Sequence, residues 1–401
     1  MLNVWKSSSS SDEAVLSQLE DAALRLGLNV ITGAAYGIPL GWDENPPTAV
    51  KSSMSYRRSL EQLSAHLMPL FLTPRWALRL APRSTNWGQA WEAYTAFGGY
   101  MLGMLHLARQ RRGKNEEGDN FMTVLTRAEE NQELDPTEVL GNAFIFLFAG
   151  HETTANTLHY ALLLLALHPE VQSLLQAEID ELYGTRKSLD YDDFPRVRWV
   201  TAVMNETLRC FAPTAMVNKW TDAPTPIPYG KGTVVLPPQT RVSTNITGIH
   251  ANPAVWGPDA KEWRPARWIA PAGGSDYFRS PPPSPGYLQE GFALGSLPPT
   301  PMTTPSFSRS PSPGAGGVRL IKPAKGAFLP FSDGSRMCSG RKFAAVEFCA
   351  VLCTILKEHR LEIPRGWSEE RMWAVLRGRK PGALTLQPPE AVPIVLVSRR
   401  R

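Results

Sequence analysis

Apolar residues along this chain recur mostly three and four positions apart, the spacing of helices with one buried face, and alternate singly in only a few short runs. Val15, Leu16, Leu19, Ala22, Ala23, Leu26, Val30 and Ile31 predict an amphipathic helix that Ser10 and Glu13 would open as a capping box. Two more helical stretches are expected within residues 52–108, joined by the apolar segment HLMPLFLTPRWALRLAP, and Arg109 to Asp119 reads as a solvated charged link. Residues 137–168 are the most apolar run. His151, Glu152, Thr153, Thr154, Asn156 and His159 near its centre would be costly in lipid, so it predicts a long helix buried in protein. LHPEVQSLLQAEIDELYG predicts a helix stopped by Gly184, followed by a helix carrying Glu206 and Arg209. Alternation over 227–249 predicts short strands, and His250 with Asn252, Pro253 and Trp256 a turn in which the imidazole is structural. Phe343, Ala344, Val346, Phe348, Ala350, Val351, Leu352 and Ile355 predict a helix buried on most sides, and Leu384–Val397 a short hairpin. The fold class is therefore mainly α with small β-sheets, in a chain long enough for one large domain or two ordinary ones.

Composition narrows the function. With 401 residues and a net charge of +5, the chain is too weakly basic, and too poor in Lys/Arg clusters with aromatics, for nucleic acid to be its partner. Cys210, Cys338, Cys349 and Cys353 form no CxxC pair and no haem-attachment CxxCH; Cys349 and Cys353, four apart, read as helix packing. Met1–Ser11 lacks the pattern of a signal peptide, and no twenty-residue apolar span lies near the N-terminus, so no transmembrane segment is expected. From Ser280 to Pro313, 20 of 34 residues are Pro, Ser or Thr, a composition that cannot assemble a core; residues 275–318 thus read as a low-complexity insertion, expected to be disordered. Six of its Ser and Thr residues precede Pro and would admit proline-directed phosphorylation, but a tolerated linker is the plainer reading.

Three constellations carry chemistry. Phe331, Gly334, Arg336, Cys338 and Gly340 fall at offsets 0, 3, 5, 7 and 9, immediately before the buried helix. The positive end of that helix, with Arg336, Arg341 and Lys342, favours a thiolate at Cys338, and the glycines let backbone approach something flat and bulky. A lone cysteine is more often buried structure; this loop is what argues otherwise. Ala149, Gly150, His151, Glu152, Thr153 and Thr154 sit mid-helix, where a Thr hydroxyl can displace a backbone hydrogen bond and open a kink. Glu206 and Arg209 share a helix face at i, i+3, with Arg267 in the later segment Trp263–Trp268.

In this order the motifs resemble those of the cytochrome P-450 superfamily, including fungal members with long insertions. The resemblance begins past the family's usual N-terminal anchor and first helices, and implies a single domain over residues 1–401 with an N-terminally truncated P-450 fold and haem between the oxygen-binding helix and the cysteine loop. It implies haem b with Cys338 as thiolate ligand and metal-binding residue; Phe331, Gly334, Arg336, Gly340 and Lys219 as cofactor contacts, Arg336 and Lys219 on the propionates; and Glu152 and Thr153 as catalytic residues, the threonine for dioxygen and the glutamate relaying protons from solvent. Glu206, Arg209 and Arg267 become a folding lock, and Ala149, Gly150, Pro213, Thr214, Ala215 and Met216 line a substrate pocket. The implied activity is monooxygenation of a lipophilic small molecule by O2. Electrons would come from an NADPH-cytochrome P-450 reductase, with cytochrome b5 as a second candidate, at the endoplasmic reticulum membrane surface. Lys322, Lys325, Arg341 and Lys342 would steer the acidic partner. Two alternatives stand beside it: a non-catalytic truncated fragment that binds haem poorly or not at all, and a haem-thiolate isomerase or dehydratase, which the presence of Thr153 disfavours.

Overall fold

The computed structural model describes residues 13–49, 51, 54–114, 118, 120–229, 232–271, 318–381 and 385–399. Residues through Leu167 together with those from Arg360 onward form one compact unit, and His168–His359 form the other.

The first unit opens with a strand, β1 (Glu13–Leu16), where helical spacing predicts the start of a helix. Its residues alternate exposed and buried, and Ala14 and Leu16 pair across to the far end of the chain, so a tertiary partner overrides a pattern compatible with either structure. Ser10, the expected cap, lies outside the described residues. Helix α1 (Leu19–Tyr36) follows, closed by Gly37 in the left-handed region at φ 67°. Residues 56–113 form four helices rather than two: α2 (Tyr56–Ala65), α3 (Leu67–Leu72), α4 (Arg75–Leu80) and α5 (Asn86–Gly113). Much of the expected solvated link is thus the last turns of α5, held by partners: Arg109 pairs with Glu129, Arg112 with Glu130, and Arg111 donates to the Gly37 carbonyl at 2.6 Å. After α6 (Phe121–Glu130) comes α7 (Pro136–Leu167), whose first amides are capped by Asp135 and whose residues from Thr154 onward are all buried. Helices α1 and α7 pack closely: a Cβ on Gly27 would meet the His151 carbonyl at 2.9 Å.

The second unit begins with α8 (Pro169–Tyr183), ended by Gly184 at φ 51° as its sequence predicts. Glu178 of this helix reaches α9 (Arg198–Cys210) and accepts hydrogen bonds from the amides of Arg198, Trp199 and Val200, capping it from outside. Strands β2 (Met216–Trp220), β3 (Thr225–Tyr229), β4 (Gly232–Leu236) and β5 (Arg241–Asn245) form two antiparallel pairs, β2 with β5 and β3 with β4. Short helices α10 (Ile246–His250) and α11 (Pro253–Trp256) lead to β6 (Ile269–Pro271), which pairs with β7 (Val318–Leu320). Pro271 lies directly opposite Val318, so the chain leaves and returns at neighbouring points of one ladder. The insertion predicted at 275–318 otherwise lies outside the described residues. Helix α12 (Arg341–Glu358) completes the unit.

The chain then returns to the first unit through β8 (His359–Glu362), α13 (Glu369–Arg377), the short pair β9 (Lys380–Pro381) and β10 (Leu386–Gln387), and β11 (Ile394–Ser398). Leu384–Val397 is therefore not one hairpin: β10 pairs with β9, while β11 is central in the sheet β1–β11–β8. Among the described residues no helix is long and apolar enough to cross a membrane.

Candidate active site

The predicted lock of the second unit is assembled in full. Glu206 is completely buried, and its two oxygens take Arg209 through Nε and Nη2, both at 2.8 Å. Arg267 Nε donates to it at 3.2 Å, the Arg264 amide at 2.9 Å and the Trp268 indole at 2.9 Å. The arginines are satisfied in turn by the carbonyls of His250, Ala260, Glu262, Trp256 and Asp259. Each buried charge is paired and fully hydrogen-bonded, the condition under which such a cluster is tolerated. His250, read as structural, is buried, and burial, followed by the charge of Arg209, pushes its pKa down to about 4. As a neutral ring it accepts the Leu329 amide at its Nε2, 2.9 Å away, two residues before the cysteine loop.

The loop itself turns on two residues with positive φ, Ser332 at 60° and Gly334 at 79°. The Cys338 amide donates to the Phe331 carbonyl at 2.9 Å, and the Arg341 amide to the Cys338 carbonyl at 3.4 Å. Residues 333–339, Arg336 and Cys338 among them, are all exposed, and Phe331 and Gly340 are half-buried. Among the described residues, no atom beyond Gly334 and its chain neighbours lies within 4 Å of where a Gly334 Cβ would stand. The result is a thiol on an open ledge of small residues and backbone, the donor type and clearance that haem requires. Lys219 lies against this ledge: its ammonium donates to the Asp333 carbonyl at 3.0 Å. Cys349 and Cys353 face inward on α12, and burial pushes the Cys349 thiol up to about 12 and Cys353 higher still. Of the expected pocket residues here, Thr214 and Met216 are exposed and Ala215 is half-buried, but Pro213 is buried.

In the first unit, Ile145, Ala149 and Thr153 recur every fourth residue and form the accessible stripe of α7. The Thr153 hydroxyl donates to the Ala149 carbonyl at 2.9 Å, the expected back-bond, while the helix continues unbroken. Glu152 lies off that stripe. It is buried, and its Oε1 accepts the amide and hydroxyl of Thr385 at 3.1 and 2.7 Å. Gly150 has a packing reason besides any ligand: a Cβ there would stand 2.5 Å from the Ile31 terminal methyl of α1. Sequence reasoning missed Thr385, 233 positions from its partner, and Trp268, whose indole on Glu206 no local pattern announces.

The family model for cytochrome P450 matches residues 1–287 and 318–386, a gap that falls at the predicted insertion. The chain belongs to the cytochrome P450 family. Members of this family are haem-thiolate enzymes, with a cysteine thiolate on the iron. Among curated relatives, a cytochrome P450 monooxygenase of Arthrobotrys oligospora is 27% identical over 98% of this chain and 67% of its own length. Cytochrome P450 monooxygenase 124 of Postia placenta is 29% identical over 100% of this chain and 68% of its own length. The chain thus spans about two thirds of each of these relatives. The fold agrees with the crystal structure of the cytochrome P450DA haem domain, at TM-score 0.69 and 20% identity, covering 100% of this chain and 71% of that one.

Proposed function

We propose that the chain is a haem-dependent monooxygenase in which Cys338 is the thiolate ligand, acting on a lipophilic small molecule with electrons from an NADPH-linked reductase. The observation that carries this is the contrast among its cysteines: Cys338 alone is both exposed and set on a glycine-bearing loop at the start of a helix, while Cys349 and Cys353 are buried. Bound haem supplies the activation of O2, one atom going to the substrate and the other to water with two electrons and two protons. The residues supply the rest. Backbone bonds at Phe331 and Arg341 fix the Cys338 main chain, and the residue is exposed. Arg336, exposed on its turn, and Lys219, seated on the Asp333 carbonyl, neutralise the propionates; the lysine does so without a bidentate fork. Thr153 offers a hydroxyl from the accessible stripe of α7, and Glu152 holds the proton-relaying carboxylate next to it in sequence.

In the first unit, Ile145 and Ala149 on that stripe have an apolar character that suits a lipophilic substrate, and in the second unit taken by itself Ala215 and Met216 do. Lys322, Lys325, Arg341 and Lys342, all exposed in sequence before and after the cysteine loop, suit an acidic reductase or cytochrome b5. Met68, Phe71, Leu72, Trp76 and Leu80 are all more than two thirds exposed on α3 and α4, with Arg75 and Arg79 among them, a composition that fits a lipid headgroup surface such as that of the endoplasmic reticulum.

The test uses the purified chain loaded with haem, an NADPH-dependent reductase, 18O2 and a panel of terpenoid and fatty-acid probes. One labelled oxygen per product molecule, lost without NADPH, is expected. Product formed without NADPH would point to an isomerase or dehydratase. Failure of the 401-residue chain to take up haem would favour the second reading, a fragment that does not bind the cofactor.

A further inference from the structure

Glu152 is held by a contact that neither the family's motifs nor the local sequence contains. Two donors on its Oε1 come from Thr385 in the C-terminal segment. Asn156, one turn further along α7, donates its side-chain amide to the same Thr385 hydroxyl. All three side chains are buried, with 6%, 3% and 1% of Glu152, Thr385 and Asn156 exposed. An amide N–H can only donate, whereas a hydroxyl has a single proton and lone pairs to accept with. The Thr385 hydroxyl accepts from Asn156 with a lone pair, which leaves its single proton for the Glu152 oxygen.

We propose that Thr385, oriented by Asn156, is the positioning residue for Glu152, fixing the carboxylate in the place from which it serves proton transfer. The proposal rests on the monooxygenase reading and on the role given there to Glu152. A glutamate has three rotatable bonds and holds one position only if contacts enforce it. Here one residue supplies a main-chain donor and a side-chain donor to a single oxygen, so the C-terminal segment and the acid are tied together. Thr385→Val keeps the shape and the amide bond and deletes only the hydroxyl. Thr385→Ser restores that hydroxyl.

Two readouts test it. In the chain without haem, urea unfolding of Glu152→Gln, Thr385→Val and the double variant forms a cycle; the midpoint shifts are expected to be non-additive, and additive shifts would remove the contact. In the haem-loaded chain with reductase and O2, the share of NADPH electrons reaching product rather than hydrogen peroxide is expected to fall by about three- to tenfold in Thr385→Val, a part of what losing a general acid costs. It should recover in Thr385→Ser, and Thr385→Val should change nothing further in a Glu152→Gln background. An unchanged partition in Thr385→Val, or an equal fall in both backgrounds, would overturn the proposal. If the chain takes up no haem or consumes no O2, the monooxygenase reading fails, and the urea cycle alone decides whether Thr385 positions Glu152.

Discussion

Glu206 and Cys338 belong to the same unit, yet the fold treats their surroundings in opposite ways. Each oxygen of the Glu206 carboxylate accepts at least two donors and none of the residue is exposed; the loop of Cys338 has seven consecutive exposed residues, and its thiol lies at the surface. The first region is completed by the chain itself, so its energy is folding energy. The second is left accessible and has little of its surface to contribute to folding. Polar groups that a fold needs are buried with partners, and those it holds for a ligand are left accessible on a fixed backbone.

The largest effect that could break this contrast is at the lock. Glu206→Gln leaves Arg209 buried without its counter-charge and Arg267 with only the Asp259 carboxylate, and is expected to cost about 3–5 kcal/mol in urea unfolding, or to prevent folding. A loss below 1 kcal/mol would mean the triad is not a structural lock. Next comes acid. His250 and His159 are both neutral in the fold, burial pushing each pKa down to about 4, against an ordinary value near 6.5. Above pH 6.5 both the folded and unfolded chains carry them uncharged, so the full stability is present there. Between pH 6.5 and about 4 only the unfolded chain takes up the protons, and each histidine should cost up to ~3 kcal/mol. Urea midpoints across that range should fall with pH and flatten in His159→Leu; an equal slope in the variant would contradict it.

Smaller again is Gly27→Ala in the first unit, where the added methyl meets the main-chain carbonyl of His151: about 1–3 kcal/mol by thermal or urea unfolding, against less than 1 kcal/mol for Gly150→Ala, whose obstacle is the movable tip of Ile31. Equal costs would show that the two helices do not cross as described. The smallest effect belongs to the cysteine loop. Cys338→Ser and Arg336→Ala should change the stability of the haem-free chain by no more than about 0.5 kcal/mol, since both side chains are exposed. A larger loss would place the loop with the lock as a folding element.

The sequence made legible whatever depends on residues close together along the chain. Glu206 and Arg209 share a helix face by spacing alone, Gly184 ends its helix where a glycine should, and the helix over 136–167 declares itself by its apolar run. Contacts between distant residues were not legible in local pattern, and that of Arg267 with Glu206 was expected only through the family resemblance. Glu13–Leu16 fits a strand or a helix equally well until Ile394–Val397 supplies a partner. The four helices within 56–113 are separated by a proline and exposed turns that an apolar pattern smooths over. Glu152 was found as an acid on the helix over 136–167, but its carboxylate is bonded by Thr385, which no local pattern announces.

The central claim, that Cys338 is the haem ligand, is tested most directly by the absorption spectrum of the haem-reconstituted chain after reduction and addition of carbon monoxide, taken beside Cys338→Ser and Cys349→Ser. A strongly red-shifted Soret band in the native chain and in Cys349→Ser, absent in Cys338→Ser, is the predicted result. A band that survives in Cys338→Ser, or that is unshifted in the native chain, would contradict the assignment.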